Sequence, residues 1–86
     1  MNISVELTLT PLKDQYEPII IHFIKRLRSS GLRVLENPLS TQVYGDYDQV
    51  MAVLNKEIKT SFELMEHGLL YMKIVTTDRS SYEPHF

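Results

Sequence analysis

Apolar residues recur along this chain with two different spacings, and the order of those spacings limits the possible folds more than any other feature. Every second residue is apolar from Ile3 to Leu9, which is the period of a strand with one buried face. A spacing of three to four residues follows between Ile20 and Leu27, which is the period of a helix. Two strand-like segments, a second helical segment and a last strand-like segment complete the order β-α-β-β-α-β.

The boundaries of these segments are marked by turn and capping residues. Pro11 ends the first strand because proline cannot donate to a strand ladder, and Gly31 ends the first helix. Two starts fit the first helix equally well: Asp14 as the cap with Glu17 three residues later, or Glu17 as the cap with Pro18 at the first helical position. Further strands are predicted over 32–35, 39–44 and 69–77.

The second helix is predicted to begin after Asp46, which forms a capping box with Gln49. It should span about five turns and bury one apolar face against the sheet. The residues expected on that face are Val50, Val53, Leu54, Ile58, Phe62 and Met65.

This order of elements is typical of the split βαβ, or ferredoxin-like, sandwich. We therefore predict an α+β fold in which a four-stranded antiparallel sheet carries two helices on one face, since right-handed crossovers put both helices on the same side. The domain should cover residues 1–78, with residues 79–86 as a C-terminal tail. The uncovered face is expected to mix apolar, aromatic and charged groups, which favours a subunit interface with a polar pocket over an ordinary solvated face. Its predicted members are Glu6, Thr8, Ser40, Gln42, Tyr44, Tyr71, Lys73 and Val75.

The composition argues against several classes of function. Nine basic and eleven acidic residues give a net charge of −2, so no basic stripe is available for nucleic acid. The chain has no cysteine, and its three histidines are not spaced as metal ligands, so neither a metal nor a cofactor is predicted. No apolar run approaches the ~20 residues of a membrane-spanning helix, and a cytoplasmic location is expected. A chain this short buries only about 60% of its unfolded surface, which favours a homo-oligomer.

Catalytic patterns are also missing. Asp46 and Asp48 flank a helix start, where acidic residues stabilise the helix, so a cap is favoured over a catalytic dyad. The three glycines lie far apart and form no phosphate-binding loop. Acylphosphatases of similar length carry a glycine-rich anion loop with an arginine after the first strand, whereas residues 10–14 contain neither. A non-catalytic protein is therefore predicted.

Residues 37–45 read Asn-Pro-Leu-Ser-Thr-Gln-Val-Tyr-Gly and lead through Asp46 into the second helix. This string resembles the YkoF-like thiamine-binding family, as do Thr10-Pro11-Leu12 at the end of the first strand and Ser29-Ser30-Gly31-Leu32 before the second. The likeness covers residues 3 to 77. It implies a ferredoxin-like fold, assembly through sheet faces into homodimers or homotetramers, and binding of thiamine or hydroxymethylpyrimidine. It further implies a role in thiamine transport or salvage, with transporter components as additional partners.

An aminopyrimidine requires short polar side chains that donate and accept hydrogen bonds, together with flat apolar walls. Ser40 and Thr41 match the family's Ser-Thr pair. Glu6 could accept from the exocyclic amine or offset the charge of the thiazolium, and Tyr44 or Tyr71 could stack on a ring. The predicted ligand-binding residues are Glu6, Thr8, Ser40, Thr41, Tyr44, Tyr71 and Lys73.

Each of these assignments has a structural alternative. Ser40 and Thr41 are adjacent, so they point to opposite faces of a strand unless a bulge or a bend near Pro38 intervenes. Glu6 could form an ion pair with Lys73 across neighbouring strands, and the tyrosines could pack in an interface. Two other functions also fit the fold: a stand-alone regulatory or scaffold module that senses another metabolite, and a small enzyme acting on a thiamine-like compound.

Overall fold

The computed structural model describes residues 1–86. Its elements are β1 (Asn2–Pro11), α1 (Glu17–Arg28), β2 (Arg33–Glu36), β3 (Thr41–Asp46), α2 (Tyr47–Glu63) and β4 (Gly68–Val75). The four strands form one sheet in the order β2-β3-β1-β4, and every neighbouring pair is antiparallel. The predicted element order and the ferredoxin-like α+β fold are confirmed.

The alternation in β1 has the predicted consequence, because one side of this central strand forms the middle of the core. Ile3, Val5 and Leu7 are each only 1% exposed, whereas Glu6 between them is exposed. Phe23 and Leu27 of α1 and Val50 and Leu54 of α2 belong to the same buried cluster. Removing a side chain of this size from water stabilises the fold by roughly 1.5–3 kcal/mol. Because residues of both helices belong to this cluster, β1 anchors the sheet to α1 and α2.

The start of α1 matches neither predicted register. Tyr16 occupies the capping position without a side-chain hydrogen bond, so Glu17 and Pro18 are the first two helical residues. Pro18 is tolerated there because the first amides of a helix have no intrahelical acceptor, and the charge of Glu17 is favoured near the positive end of the helix dipole. Gly31 has a φ of 88°, in the left-handed region, as predicted for the residue that ends this helix.

The buried face of α2 is rotated from the predicted one. Val50 and Leu54 are buried as expected, and the predicted Val53, Ile58 and Met65 are half-buried against the core. The fully buried stripe, however, continues through Glu57 and Ser61, while Phe62 is 43% exposed. Arg26 of α1 explains the rotation, since its Nε donates to Glu57 Oε2 at 2.5 Å and its Nη2 donates to Ser61 Oγ at 2.6 Å. An apolar periodicity cannot reveal a polar pair that is buried between two helices.

The cap of α2 and the turn before β3 set the positions of the later strands. The Asp46 carboxylate accepts from the Gln49 amide at 3.4 Å, which confirms Asp46 as the capping residue. Asn37 Oδ1 accepts from the amides of Leu39 and Ser40 at 2.8 and 3.0 Å, so these two residues belong to a turn. As a result β3 begins at Thr41, two residues later than predicted.

Candidate ligand-binding site on the open sheet face

The strand register places the predicted polar residues together on the face that the helices leave uncovered. Glu6 lies directly opposite Gln42 of β3 on one side and Lys73 of β4 on the other. Thr8 lies opposite Tyr71, and Ser4 lies opposite both Tyr44 and Val75. Directly opposite residues of antiparallel strands share a face. The prediction that the residues Glu6, Thr8, Gln42, Tyr44, Tyr71, Lys73 and Val75 lie on the uncovered face is therefore confirmed. We call this surface the open face below.

Ser40 joins the open face through its side chain rather than through the strand ladder. Gln42 Nε2 donates to Ser40 Oγ at 2.7 Å, and the same hydroxyl donates to Glu6 Oε2 at 3.0 Å. In these two hydrogen bonds the Ser40 hydroxyl is both acceptor and donor. Glu6 Oε1 and the side-chain carbonyl oxygen of Gln42 have no hydrogen-bond partner in the protein. The open face therefore presents two free acceptors beside each other, which is suited to a ligand that carries an amine or amide.

The predicted alternative of a Glu6–Lys73 ion pair is not formed. The two residues are cross-strand neighbours, but no nitrogen of Lys73 lies within 4.0 Å of the Glu6 carboxylate, which bonds to Ser40 instead. Both side chains are exposed, so their mutual attraction is strongly screened by water. Glu6 is consequently oriented by a neutral hydroxyl and keeps its charge available to a ligand.

A shallow pocket of about 160 Å³ lies on the open face around Ser4 and Glu6, and the predicted site residues Thr8, Ser40 and Tyr71 do not line it. One carboxylate and two cations surround it, together with the ring of Tyr44. Drug-sized ligands occupy pockets of roughly 300–1,000 Å³, so this pocket is too small to enclose such a ligand by itself. The open-face side chains that line it are Ser4, Glu6, Gln42, Tyr44, Lys73, Val75 and Arg79.

A larger groove of about 590 Å³ runs between α1 and α2 on the opposite side of the molecule. Its walls are formed by lysines, hydroxyls and the Arg26–Glu57 pair, with Val53 as the one hydrophobic residue. A flat heteroaromatic ring needs apolar walls, which this groove lacks. The smaller pocket on the open face therefore has the better chemistry for such a ligand despite its volume.

The other predicted site residues divide between two faces. Tyr44 is half-buried, while Lys73 and Tyr71 are exposed, Tyr71 at 70%. Thr8 Oγ1 donates to the Leu39 carbonyl at 3.4 Å, which ties β1 to the turn that carries Ser40. Thr41 lies opposite Leu7 on the helix-covered face and is buried, so the structure does not bring it to the open face.

Sequence reasoning missed the contribution of the residues that follow β4. Ser4 Oγ donates to the Thr77 carbonyl at 2.6 Å and accepts from the Arg79 amide at 2.8 Å. These two bonds hold Arg79 at the edge of the pocket. Ser4 was recognisable as a polar residue of the open face, but nothing in the sequence indicated that residues 77–79 return to it.

Asp78 stands in the turn that these bonds hold. A hydrogen bond from the Ser80 side chain lowers the pKa of Asp78 below its usual value of 3.8; the Ser80 amide, 2.8 Å from Oδ1, and the charge of Arg33 act in the same direction. Partial loss of hydration acts on the pKa in the opposite direction and is outweighed. The carboxylate thus stays ionised and fixes the turn beside the pocket.

No group of three or more histidines, aspartates or glutamates is arranged to hold a metal ion. None of the helices is long and apolar enough to cross a membrane.

The fold and the open face define a ferredoxin-like domain with a polar, partly aromatic surface on its uncovered sheet. The family model described as thiamine-binding protein matches residues 5–84, and the chain belongs to this family. The YkoF-like resemblance seen in the sequence is thereby confirmed. Membership supports a thiamine-related binding role, as predicted from the sequence.

Solved structures share this fold at low sequence identity. A protein from Streptococcus pneumoniae is 20% identical with a TM-score of 0.84, covering 94% of this chain and 92% of that one. A Thermotoga maritima protein, described as a candidate thiamine biosynthesis/salvage protein, is 16% identical with a TM-score of 0.80 over 90% and 85%. A Bacillus cereus domain of unknown function, DUF77, is 18% identical with a TM-score of 0.73 over 91% and 78%. No curated protein sequence matches the chain.

Proposed function

We propose that this protein binds thiamine or its hydroxymethylpyrimidine part on the open face, without catalysis, in support of thiamine transport or salvage. The observation that carries this proposal is the hydrogen-bonded chain Gln42–Ser40–Glu6, which leaves two acceptors exposed beside Tyr44. An aminopyrimidine offers an exocyclic amine to such acceptors and a flat ring to the tyrosine. The family match supports the ligand class.

Charge around the pocket bears on which form of the ligand binds. Glu6 attracts the thiazolium cation of thiamine, whereas Lys73 and Arg79 on the other side of the pocket repel it. A phosphate ester of thiamine would satisfy all three charges, because its anionic group could face Lys73 and Arg79 while its ring faces Glu6. Neutral hydroxymethylpyrimidine would be little affected by any of them.

The dimensions of the pocket support a site at a subunit interface. A volume of about 160 Å³ leaves most of a thiamine molecule in water, and a second copy placed over the open face would enclose it. A homodimer or homotetramer is the assembly that we propose on this ground. The cytoplasmic location, the transporter components and the division of the chain at residue 78 remain predictions.

Calorimetric titration tests the proposal. The wild-type protein should give saturable heat with at least one of thiamine, thiamine phosphate and hydroxymethylpyrimidine. Ser40→Ala should weaken binding by up to about fivefold, because it removes the hydrogen bond, worth about 1 kcal/mol, that orients the Glu6 carboxylate. Ser29→Ala is the matched control, because Ser29 carries an exposed hydroxyl at the end of α1, away from the open face. Absence of heat with all three compounds would sink the proposal and favour a module that senses another metabolite.

A catalytic role is a separate question and has a separate test. Long incubation of the wild-type protein with each compound should return the compound unchanged by mass spectrometry. Turnover that is lost in Glu6→Gln would instead assign a reaction to the open face.

A further inference from the structure

The groove between α1 and α2 is lined by the same spacing of residues on both helices. We call it the helix groove. Four residues of each wall follow one another at steps of three, one and three positions: His22, Lys25, Arg26 and Ser29 on one side, and Val53, Lys56, Glu57 and Thr60 on the other. Residues at this spacing share one side of a helix, so two polar stripes face each other across the groove. Only Val53 among them is apolar, so the core does not account for this pattern.

Positive charge is concentrated in the helix groove, although the chain as a whole is acidic. Lys25, Arg26 and Lys56 line it with a single carboxylate, that of Glu57. The rest of the chain then carries six basic and ten acidic residues. Neither lysine has a carboxylate within 4.0 Å, so two positive charges in the groove are uncompensated. Like charges on facing helices repel each other, and an anion bound between them would reverse that interaction.

Arg26 differs from the two lysines because buried groups hold its guanidinium. Glu57 and Ser61, which are 7% and 0% exposed, accept hydrogen bonds from its Nε and Nη2. Its Nη1 has no hydrogen-bond partner in the protein, and the residue lines the helix groove. An oriented, planar guanidinium matches the oxygens of a phosphate group, and ammonium groups nearby add charge without a fixed geometry.

We propose that the helix groove binds a small, hydrophilic phosphate monoester, with its phosphate held by Lys25, Arg26 and Lys56. Such a phosphate carries a charge of about −1.5 to −2 at pH 7, which matches the two uncompensated positive charges. A volume of about 590 Å³ lies in the range of roughly 300–1,000 Å³ that small-molecule ligands occupy, so there is room for an organic part as well.

The remaining walls of the helix groove indicate the chemistry of that organic part. Thr60 Oγ1 donates to the Lys56 carbonyl at 3.0 Å, so its oxygen is left to accept from a ligand. His22 contributes an imidazole, which can donate and accept. These groups suit the hydroxyls of a sugar or polyol, whereas an aromatic ring would find no apolar wall. The helix groove and the open face lie on opposite sides of the molecule, so this inference is independent of the proposed function.

NMR titration of the isotope-labelled wild-type protein tests the inference with three probes: glucose-6-phosphate, inorganic phosphate and glucose. Glucose-6-phosphate should shift the amide signals of both stripes and saturate at millimolar or lower concentration. Inorganic phosphate should bind at least about fivefold more weakly, because it makes no contact with the sugar-binding wall, and glucose should not saturate. No saturation with glucose-6-phosphate, or equal affinity for inorganic phosphate, would overturn the inference.

A pair of lysine variants separates a site from general attraction to positive charge. Lys56→Gln should weaken binding of glucose-6-phosphate at least about fivefold, because it removes one of the three groups that hold the phosphate. Lys59→Gln is the matched control, since Lys59 is exposed on the same helix but does not line the helix groove, and it should stay within about twofold of wild type. Equal losses in the two variants would overturn the site. A protein that binds glucose-6-phosphate but no thiamine compound would retain the helix-groove site and lose the proposed function.

Discussion

Ser40 donates its hydroxyl hydrogen to Glu6 Oε2 at 3.0 Å, across 34 residues of sequence. Gln42 Nε2 donates to the hydroxyl oxygen of Ser40, so Ser40 accepts from Gln42 and donates to Glu6. The carboxylate is thereby oriented on the open face with one oxygen directed to solvent. In the proposed site, Glu6 is the residue that we expect to distinguish among the ligand forms.

Glu6→Gln should weaken thiamine binding by about tenfold or more, because a hydrogen bond to a charged group is worth roughly 1.5–3 kcal/mol and 1.4 kcal/mol is a factor of ten. Binding of neutral hydroxymethylpyrimidine should fall less, since only the thiazolium responds to the lost charge. Calorimetry with both ligands measures the difference. Lys73→Gln removes a positive charge beside the pocket and should strengthen thiamine binding, so it serves as a control with the opposite expected effect. An equal loss for both ligands would show that Glu6 acts as a hydrogen-bond acceptor alone.

Thr41→Val should leave ligand affinity within about twofold of wild type. Thr41 is buried opposite Leu7 on the helix side, so its hydroxyl does not reach the open face, and valine has the same shape. The free energy of unfolding should change by less than about 1 kcal/mol, as for most conservative substitutions. Ser40→Ala measured beside it should lose affinity. If Thr41→Val weakened binding as much as Ser40→Ala, the ligand would have to reach the helix side near the start of β3.

Glu57→Ala should lower the free energy of unfolding by about 1–3 kcal/mol, because it leaves Arg26 without its carboxylate between the helices. The Arg26 side chain is 27% exposed, so water compensates part of the loss. Urea denaturation followed by circular dichroism measures it. The double variant Arg26→Met with Glu57→Leu should be more stable than Glu57→Ala, since no unpaired charge remains. A double variant that is less stable than the single one would contradict this account of the helix interface.

Ser80→Ala should raise the pKa of Asp78 toward 3.8, because the Ser80 side chain is the main cause of its depression. A carboxyl group with a lowered pKa in the folded state stabilises that state above its unfolded pKa. The contribution is lost as the pH falls through the lowered folded pKa. The turn that holds Arg79 should therefore loosen only under strongly acidic conditions. Titration of the Asp78 carboxyl carbon by NMR tests this, and an unchanged pKa in Ser80→Ala would contradict it.

Local patterns were sufficient to predict the fold and most of the open face. The alternation of Ile3, Val5 and Leu7 predicted which side of β1 is buried, and therefore which of its side chains lie on the open face. Glu6, Thr8 and the residues of β4 could be assigned to a face for the same reason. Period-two patterning carries this information because a shift of one residue would expose the whole apolar set.

What the sequence left open depended on contacts between distant residues. The rotation of α2 required knowing that Arg26 meets Glu57, and the place of Arg79 required knowing that Ser4 binds residues beyond β4. The motif Ser40-Thr41 suggested one shared role for two neighbours, and the structure instead has the predicted alternative in which they lie on opposite faces. Contacts between residues that lie far apart in the sequence leave no periodic pattern of apolar and polar residues.

The strand order has a kinetic consequence. β1 forms its longest ladder with β4, from Ser4 opposite Val75 to Pro11 opposite Gly68. Of the four strands, β4 is the last to be synthesised, so this ladder cannot form until β4 has left the ribosome. Closing so large a chain loop is slow, and until it closes the nascent sheet presents one side of β1 with no neighbour. During that interval a β4 from another chain could occupy the same place. High expression levels would therefore favour strand-swapped misassembly, and slower synthesis at lower temperature would reduce it.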